Sequence, residues 1–333
     1  MPKRYGNLYE QMFNLDALHA AYMRSRDRKR KKSAVRKFEQ NLGANLQKLH
    51  DELQDGTYAP RPYKTFYVFE PKPRLIHAPH FRDVVVQQAM YAVLYPLVDS
   101  RLCFESYGCR KNKGTHRAAD RAQQFLRESP PDSYLLQLDI RKFFYRIDRE
   151  ILLGQWRKII KDERVLHLLH EFSLYPADAG VPIGNLMSQI AALIYLNPLD
   201  HYIKRELKAS RYVRYVDDFI VFGLTKTEAL AMRKQITEWL KANLGLELSR
   251  WTIQPVSRGL NFVGFRTWRK TRFVRKHSLY TFNRALRTGA MGSIVSCIGH
   301  AKASATHKHF MNRLREYPEL YAQLSEPMKR GQP

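Results

Sequence analysis

Acid is what this chain lacks most. Against 57 Lys and Arg it carries 31 Asp and Glu, a formal charge of +26 over 333 residues. Self-repulsion on that scale opposes compaction, and a polyanion partner is its simplest compensation. Long apolar runs are missing too. The best candidate, 84–98, is interrupted by Gln87 and Gln88 and falls short of the ~20 residues that a span requires. It reads as a buried helix, and no membrane partner is expected. Residues 1–9 are polar, without the apolar stretch of a secretory signal. The three cysteines, Cys103, Cys109 and Cys297, show no zinc-type spacing and leave an odd thiol, which favours a reducing cytoplasm. Neither G-x-x-x-x-G-K-[ST] nor G-x-G-x-x-G occurs, so phosphate cradles of those two kinds are excluded. No internal repeat or low-complexity tract stands out.

What is present is ordinary globular composition, 44% hydrophobic and 26% charged, with a core large enough for two or three lobes. Helical spacing predicts helices over Tyr5–Tyr22, Phe38–Leu53, Asp83–Val98, His116–Arg127, Glu150–Leu174, Leu186–Leu207 (kinked at Pro198) and Thr227–Leu244. Arg141–Asp148 reads as the start of a helix. Strands are expected at Thr65–Phe69, Tyr134–Ile140, Leu246–Pro255 and Leu260–Trp268, and Pro71–Pro79 as an extended, proline-stiffened segment. The tail is basic and helical from about Phe282. This alternation predicts an α+β fold with helices packed on one face of a sheet. Between Arg24 and Lys37 stand nine basic residues and one acid. Arg28, Lys29, Arg30, Lys31 and Lys32 are its densest part and candidate phosphate contacts, against the alternative of a solvated face or arm.

Two carboxylate sites organise the chemistry. Arg211–Phe222 is β-branched and aromatic with no Gly or Pro, hence a strand pair, yet Asp217 and Asp218 interrupt it. Adjacent ionised groups in a segment that favours burial repel unless a cation lies between them. A solvated Asp-Asp turn is the alternative on this stretch alone. A second apolar strand, Leu135–Ile140, carries one acid at its end, Asp139. Three carboxylates at neighbouring strand tips suit a pair of Mg²⁺ ions, the arrangement that clamps attacking and leaving oxygens in phosphoryl displacement.

Tyr215-Val-Asp-Asp218 resembles the Y-x-D-D box of reverse transcriptases, and Leu138-Asp-Ile-Arg-Lys-Phe-Phe144 resembles their first carboxylate motif. Ser106-Tyr-Gly-Cys-Arg110 and Lys72-Pro-Arg-Leu-Ile76 resemble the fingers motifs, and Asn261-Phe-Val-Gly-Phe265 resembles the primer-grip hairpin. The resemblance runs in the family's order from Thr65 to Trp268. It implies a right-hand polymerase fold. Residues 1–60 would be a basic N-terminal extension, 61–134 fingers, 135–150 palm, 151–205 fingers and palm helices, 206–268 palm with the primer grip, and 269–333 a short helical thumb. It implies two Mg²⁺ on Asp139, Asp217, Asp218 and the Ile140 main chain, with template RNA, cDNA and dNTPs as partners. Phe144 would exclude a ribose 2′-hydroxyl, and Phe143 beside it reads as core. Arg74 would lie on the incoming nucleotide, with Lys64 or Lys72 adding a phosphate contact and Ile140 lining the pocket. Arg110, Arg266, Arg269 and Lys270 would meet nucleic acid, with surface charge as the competing reading for Arg110.

One motif departs from most of the family. In Val181-Pro-Ile-Gly184-Asn-Leu-Met-Ser-Gln189, Ile183 replaces the usual glutamine and Gln189 the proline. With Ile194-Tyr-Leu-Asn-Pro-Leu-Asp200 and the tail residues Gly299-His-Ala301 and Thr306-His307, this is similar to reverse transcriptases of diversity-generating retroelements, including phage-borne ones. That likeness implies error-prone cDNA synthesis from a template-repeat RNA, with errors opposite adenine, in a bacterial cytoplasm. An accessory variability protein, a basic oligomer, would be its partner. Ile183, Gly184 and Gln189 are then nucleotide-pocket residues. Ser249-Arg-Trp-Thr252 lacks the lysine that relatives offer as an acid for pyrophosphate, leaving water or Lys241. The alternatives are an antiphage-defence or retron reverse transcriptase, and a non-catalytic RNA-binding scaffold.

Overall fold

The computed structural model describes residues 3–69, 73–174 and 179–329. In chain order the helices and strands are α1 (Leu8–Phe13), α2 (Leu15–Arg26), α3 (Ser33–Glu39), α4 (Leu42–Gln54), β1 (Lys64–Phe69), β2 (Pro73–Ala78), α5 (Phe81–Asp99) and α6 (Thr115–Glu128). Then follow β3 (Tyr134–Ile140), α7 (Arg149–Arg157), α8 (Glu163–Ser173), α9 (Leu186–His201), β4 (Tyr212–Tyr215), β5 (Asp218–Leu224), α10 (Lys226–Leu244) and β6 (Leu248–Pro255). The chain ends with β7 (Leu260–Phe262), β8 (Phe265–Thr267), β9 (Arg272–Val274), α11 (Lys276–Thr288), α12 (Met291–Ala301), α13 (Thr306–Arg315) and α14 (Pro318–Lys329). Contacts divide it into two compact units. None of the described helices is long and apolar enough to cross a membrane.

The first unit holds Met1–Phe104, Ile140–Tyr202 and Thr237–Ser249. Helices α1, α2, α3 and α9 pack on α5, whose Val85, Val86, Met90 and Leu94 are fully buried. Gln87, the polar residue that broke the apolar run, is buried as well and accepts a hydrogen bond from the Leu186 amide at 3.1 Å. The same unit carries the antiparallel hairpin β1–β2. The second unit holds Glu105–Asp139, Ile203–Ile236 and Arg250–Pro333. Its centre is the four-stranded sheet β4-β5-β3-β6. α6 lies on β4 and β5, where Phe125 and Leu126 meet Leu135, Ile220 and Phe222. A second apolar cluster joins β8 and β9 to α11, α12 and α13 through Phe265, Phe282 and Phe310.

Several predicted helices are interrupted. Tyr5–Tyr22 is two helices, because Asn14 turns extended and caps α2 by accepting from the Ala17 amide. Phe38–Leu53 is also divided, between α3 and α4. Arg141–Asp148 forms a left-handed turn at Lys142 and a short 3-10 segment; the next helix starts only where Asp148 caps it. Glu150–Leu174 is α7 and α8, and Leu186–Leu207 ends at His201, followed by a π-turn over Tyr202–Glu206. At Asn14 and Asp148 a local side-chain cap outweighs the apolar period. Leu260–Trp268 is not one strand but the β7–β8 hairpin, reversed at Val263-Gly264. Of the Pro71–Pro79 segment, Pro73–Ala78 pairs as β2 while 71 and 72 lie outside the described residues, and the tail turns helical at Lys276.

Candidate active site

In the second unit, the register of two antiparallel pairings sets the carboxylates. Asp139 lies opposite Asp218 across β3 and β5, and Asp218 lies opposite Tyr215 across β5 and β4. Directly opposed residues in such a ladder have Cα atoms about 4.5–5.5 Å apart. The β4–β5 turn is therefore two residues long, Val216 and Asp217, so the Asp pair is shared between turn and strand. Burial, together with Asp139 and Asp217, drives the Asp218 carboxyl up to about 7, although Gln137 and Arg275 pull it down. Like charges held this close favour a cation. The donor set, hard oxygens without sulfur or imidazole, fits a divalent ion of the magnesium type. The three side chains alone do not make a closed cage, since no cluster of three or more His, Cys, Asp or Glu arranged for a metal occurs among the described residues. A bound ion would need oxygens beyond these three carboxylates.

The turn is strained and braced. Val216 has φ 57°, an outlier for a β-branched residue that costs ~1–3 kcal/mol and persists only where the surroundings enforce it. Arg214, 1% exposed, donates from Nη1 to the Val216 carbonyl at 2.9 Å. The 105–110 loop runs beside β4: the Arg214 amide donates to the Glu105 carbonyl and the Tyr107 amide donates to the Arg214 carbonyl, each at 2.9 Å. Gly108 abuts the turn so closely that a Cβ there would lie 2.5 Å from Val216 Cγ2 and 2.7 Å from its amide nitrogen. Gln137 shares a face of β3 with Asp139 and donates from Nε2 to Asp218 Oδ1 and to the Asn261 carbonyl, both at 3.0 Å. Sequence reasoning missed Arg214, Gly108 and Gln137. Gln137 had a signal in its two-residue offset from Asp139, and Gly108 stood inside the Ser106–Arg110 motif without a role assigned to it.

In the first unit, backbone hydrogen bonds tie three of the predicted nucleotide-pocket segments to one another. The Val181 amide donates to the Phe144 carbonyl at 2.8 Å, and the His77 amide donates to the Ile183 carbonyl at 2.7 Å. The Phe144 turn, the 181–184 segment and β2, which carries Arg74, thus form one backbone network. Gly184 has φ 108° and would meet Ile76 Cγ2 at 2.8 Å if it bore a Cβ. Phe143 is buried and Phe144 half-buried; Gln189 is exposed on α9, and Ile140 is buried at the end of β3. Asn185 caps α9 and donates to the Tyr63 hydroxyl at 2.6 Å. Lys72 lies outside the described residues, whereas Lys64 is exposed on β1.

The basic candidates separate. Arg28, Lys29, Arg30, Lys31 and Lys32 form an exposed turn between α2 and α3. Arg110 donates to the Ser106 carbonyl at 3.0 Å. Arg266 and Arg269 donate to the carbonyls of Arg258 and Arg127, at 2.5 and 2.8 Å, while Lys270 is exposed.

A sheet with opposed carboxylates at a two-residue hairpin is the palm of a template-copying nucleotidyl transferase. The family model described as reverse transcriptase (RNA-dependent DNA polymerase) matches residues 64–267, and the chain belongs to that family. It is 26% identical over 294 residues to protein YkfC of Escherichia coli (strain K12), covering 74% of this chain and 76% of that protein. It is 27% identical over 170 residues to the group II intron-encoded protein LtrA of Lactococcus lactis subsp. cremoris, covering 47% of this chain and 28% of LtrA. Telomerase from Candida albicans, solved with a fragment of telomeric RNA, matches with a TM-score of 0.53 at 12% identity, over 82% of this chain and 58% of that one. This bears out the α+β class of the right-hand polymerases. The enzyme class is RNA-directed DNA polymerase.

Proposed function

We propose that this chain copies an RNA template into DNA by metal-dependent nucleotidyl transfer, with Asp139, Asp217 and Asp218 as the ligands of two Mg²⁺ ions. The Asp139–Asp218 register with Asp217 in the adjoining turn carries the reading. Bound metal would supply activation of the primer 3′-hydroxyl and neutralisation of charge on departing pyrophosphate. The protein's own groups do the positioning. Gln137 orients one Asp218 oxygen, and the braced Val216 turn holds the Asp pair. Arg74 presents a planar guanidinium to the triphosphate, and the Phe144 ring closes the space a 2′-hydroxyl would need. Arg110, Arg266, Arg269, Lys270 and the Arg28–Lys32 turn follow nucleic-acid phosphates. Primer extension on an RNA template with Mg²⁺ tests the reading: wild type makes DNA and Asp217→Ala does not. Equal product from both, or none from wild type with any template or accessory protein, overturns it.

Within that activity we favour the error-prone retroelement role, working with a small basic accessory protein, because Ile183 stands where most of the family has glutamine and Gln189 where it has proline. An apolar contact rejects misfits by only ~1–3 kcal/mol, whereas a hydrogen-bonding group left unpaired rejects far more strongly. Ile183→Gln should therefore lower the misincorporation frequency several-fold in sequenced cDNA. Identical error spectra would remove Ile183 from the account.

A further inference from the structure

In the first unit α3, α4, the segment before β1 and the start of α5 enclose a cavity of about 590 Å³, within the ~300–1,000 Å³ usual for ligand sites. Its floor is apolar, made by the buried Phe38 and Leu49, and Gln40, Asn41 and Asn45 line its wall with amides. Its rim is cationic: Lys37, Lys48, Arg61 and Arg82. Of these four, Arg82 is matched by Glu52 and Asp83. Lys37, Lys48 and Arg61 have no ion pair among the described residues. Arg61 Nη1 instead lies 3.5 Å from His80 Nε2, and His80 is held below the ordinary histidine value by burial and by the charges of Arg61, Arg82 and Lys37.

Three uncompensated cations above an apolar, amide-lined floor call for an anion attached to a flat body with polar edges. We propose that this cavity binds a phosphate-bearing nucleotide unit, with its phosphate on Lys37, Lys48 and Arg61 and its base against Phe38 within reach of Asn41 and Asn45. Amides supply both donors and acceptors for a base edge, and bases splayed from a single strand are the ones proteins read in this way. The unit is supplied either by an RNA strand or by a free nucleotide. Its lining shares no residue with the Arg28–Lys32 turn or the carboxylates, and its occupancy does not depend on polymerisation.

The test is fluorescence anisotropy of the full chain with a 5′-labelled single-stranded RNA in EDTA, over a range of salt concentrations. The triple variant Lys37→Ala/Lys48→Ala/Arg61→Ala should bind about 10–100-fold more weakly, with a log–log salt slope smaller by about 2–3. The charge-matched triple Arg157→Ala/Lys158→Ala/Lys161→Ala, on the exposed end of α7 and the turn after it, should lose much less. Thermal melts confirm that both triples fold. Equal losses for the two triples, or displacement of the label by poly-glutamate as readily as by RNA, overturn the proposal. A Tm rise with millimolar ATP in wild type but not in the pocket triple assigns the site to free nucleotide. No ATP response, with the RNA difference retained, assigns it to a strand. Because EDTA blocks catalysis, this result stands whether or not the chain extends primers.

Discussion

Asp218→Asn is expected to abolish primer extension and at the same time to make the metal-free protein harder to melt. The two effects share one cause. Asp218 is raised from an ordinary carboxylate value of 3.8 to about 7, chiefly by burial and then by Asp139 and Asp217. A raised carboxyl binds a proton more tightly folded than unfolded, so its contribution to stability is greatest below the unfolded value and is lost as pH climbs through this window. Asparagine has the same shape and no charge to bury, and it keeps an oxygen to accept from Gln137. In EDTA at neutral pH the variant should melt roughly 2–5 °C higher and show a flatter stability profile between about pH 4 and 7. On the proposed two-metal mechanism its rate should fall roughly 10³-fold or more, since a metal-binding carboxylate would be asked for several kcal/mol and each 1.4 kcal/mol is a factor of ten. A variant that melts lower, or one that still extends primers at a tenth of the wild-type rate, would falsify this account of the carboxylates.

Gly108→Ala should be nearly as damaging, although the Ser106–Arg110 motif that contains it gave residue 108 no role. The added methyl group would sit 2.5 Å from Val216 Cγ2 and 2.7 Å from the Val216 nitrogen, closer than any real packing. One partner is backbone, so relief must come from moving the turn that bears Asp217. A displacement of ~1 Å in reacting groups costs on the order of 10² in rate, and overpacking of this kind costs ~1–3 kcal/mol of stability. Adding Val216→Gly removes the Cγ2 clash and frees the positive φ, so the double variant should recover part of both losses. Additive losses in the double-mutant cycle, or a Gly108→Ala protein with wild-type kinetics, would show that the loop does not brace the turn.

These two residues also show where reading the sequence succeeds and where it stops. Arg211–Phe222 and Leu135–Ile140 were readable as strands because alternation and β-branching are local, and their acids stood out against an apolar background. Their pairing is not local, yet the Asp139–Asp218 register is what the expected chemistry needs. The brace was invisible for the opposite reason. Gly108 and Val216 are far apart in sequence, and nothing in either segment announces that the loop 105–110 lies beside β4. Helix boundaries failed at Asn14, Lys142 and the π-turn after His201, where a single cap or turn outweighs a continuing apolar period. Arg266 and Arg269 illustrate a further limit: charge alone did not reveal that their guanidinium groups already serve backbone carbonyls.

The β1–β2 hairpin has all six residues of its first strand exposed, Phe66, Tyr67 and Phe69 among them. Two strands without a covered apolar face are only marginally stable by themselves. The ribbon that carries Arg74 is therefore lightly supported, and its base is anchored where His77 is buried and meets Ile183. A hairpin tied in this way can change its angle without disturbing the core beneath it.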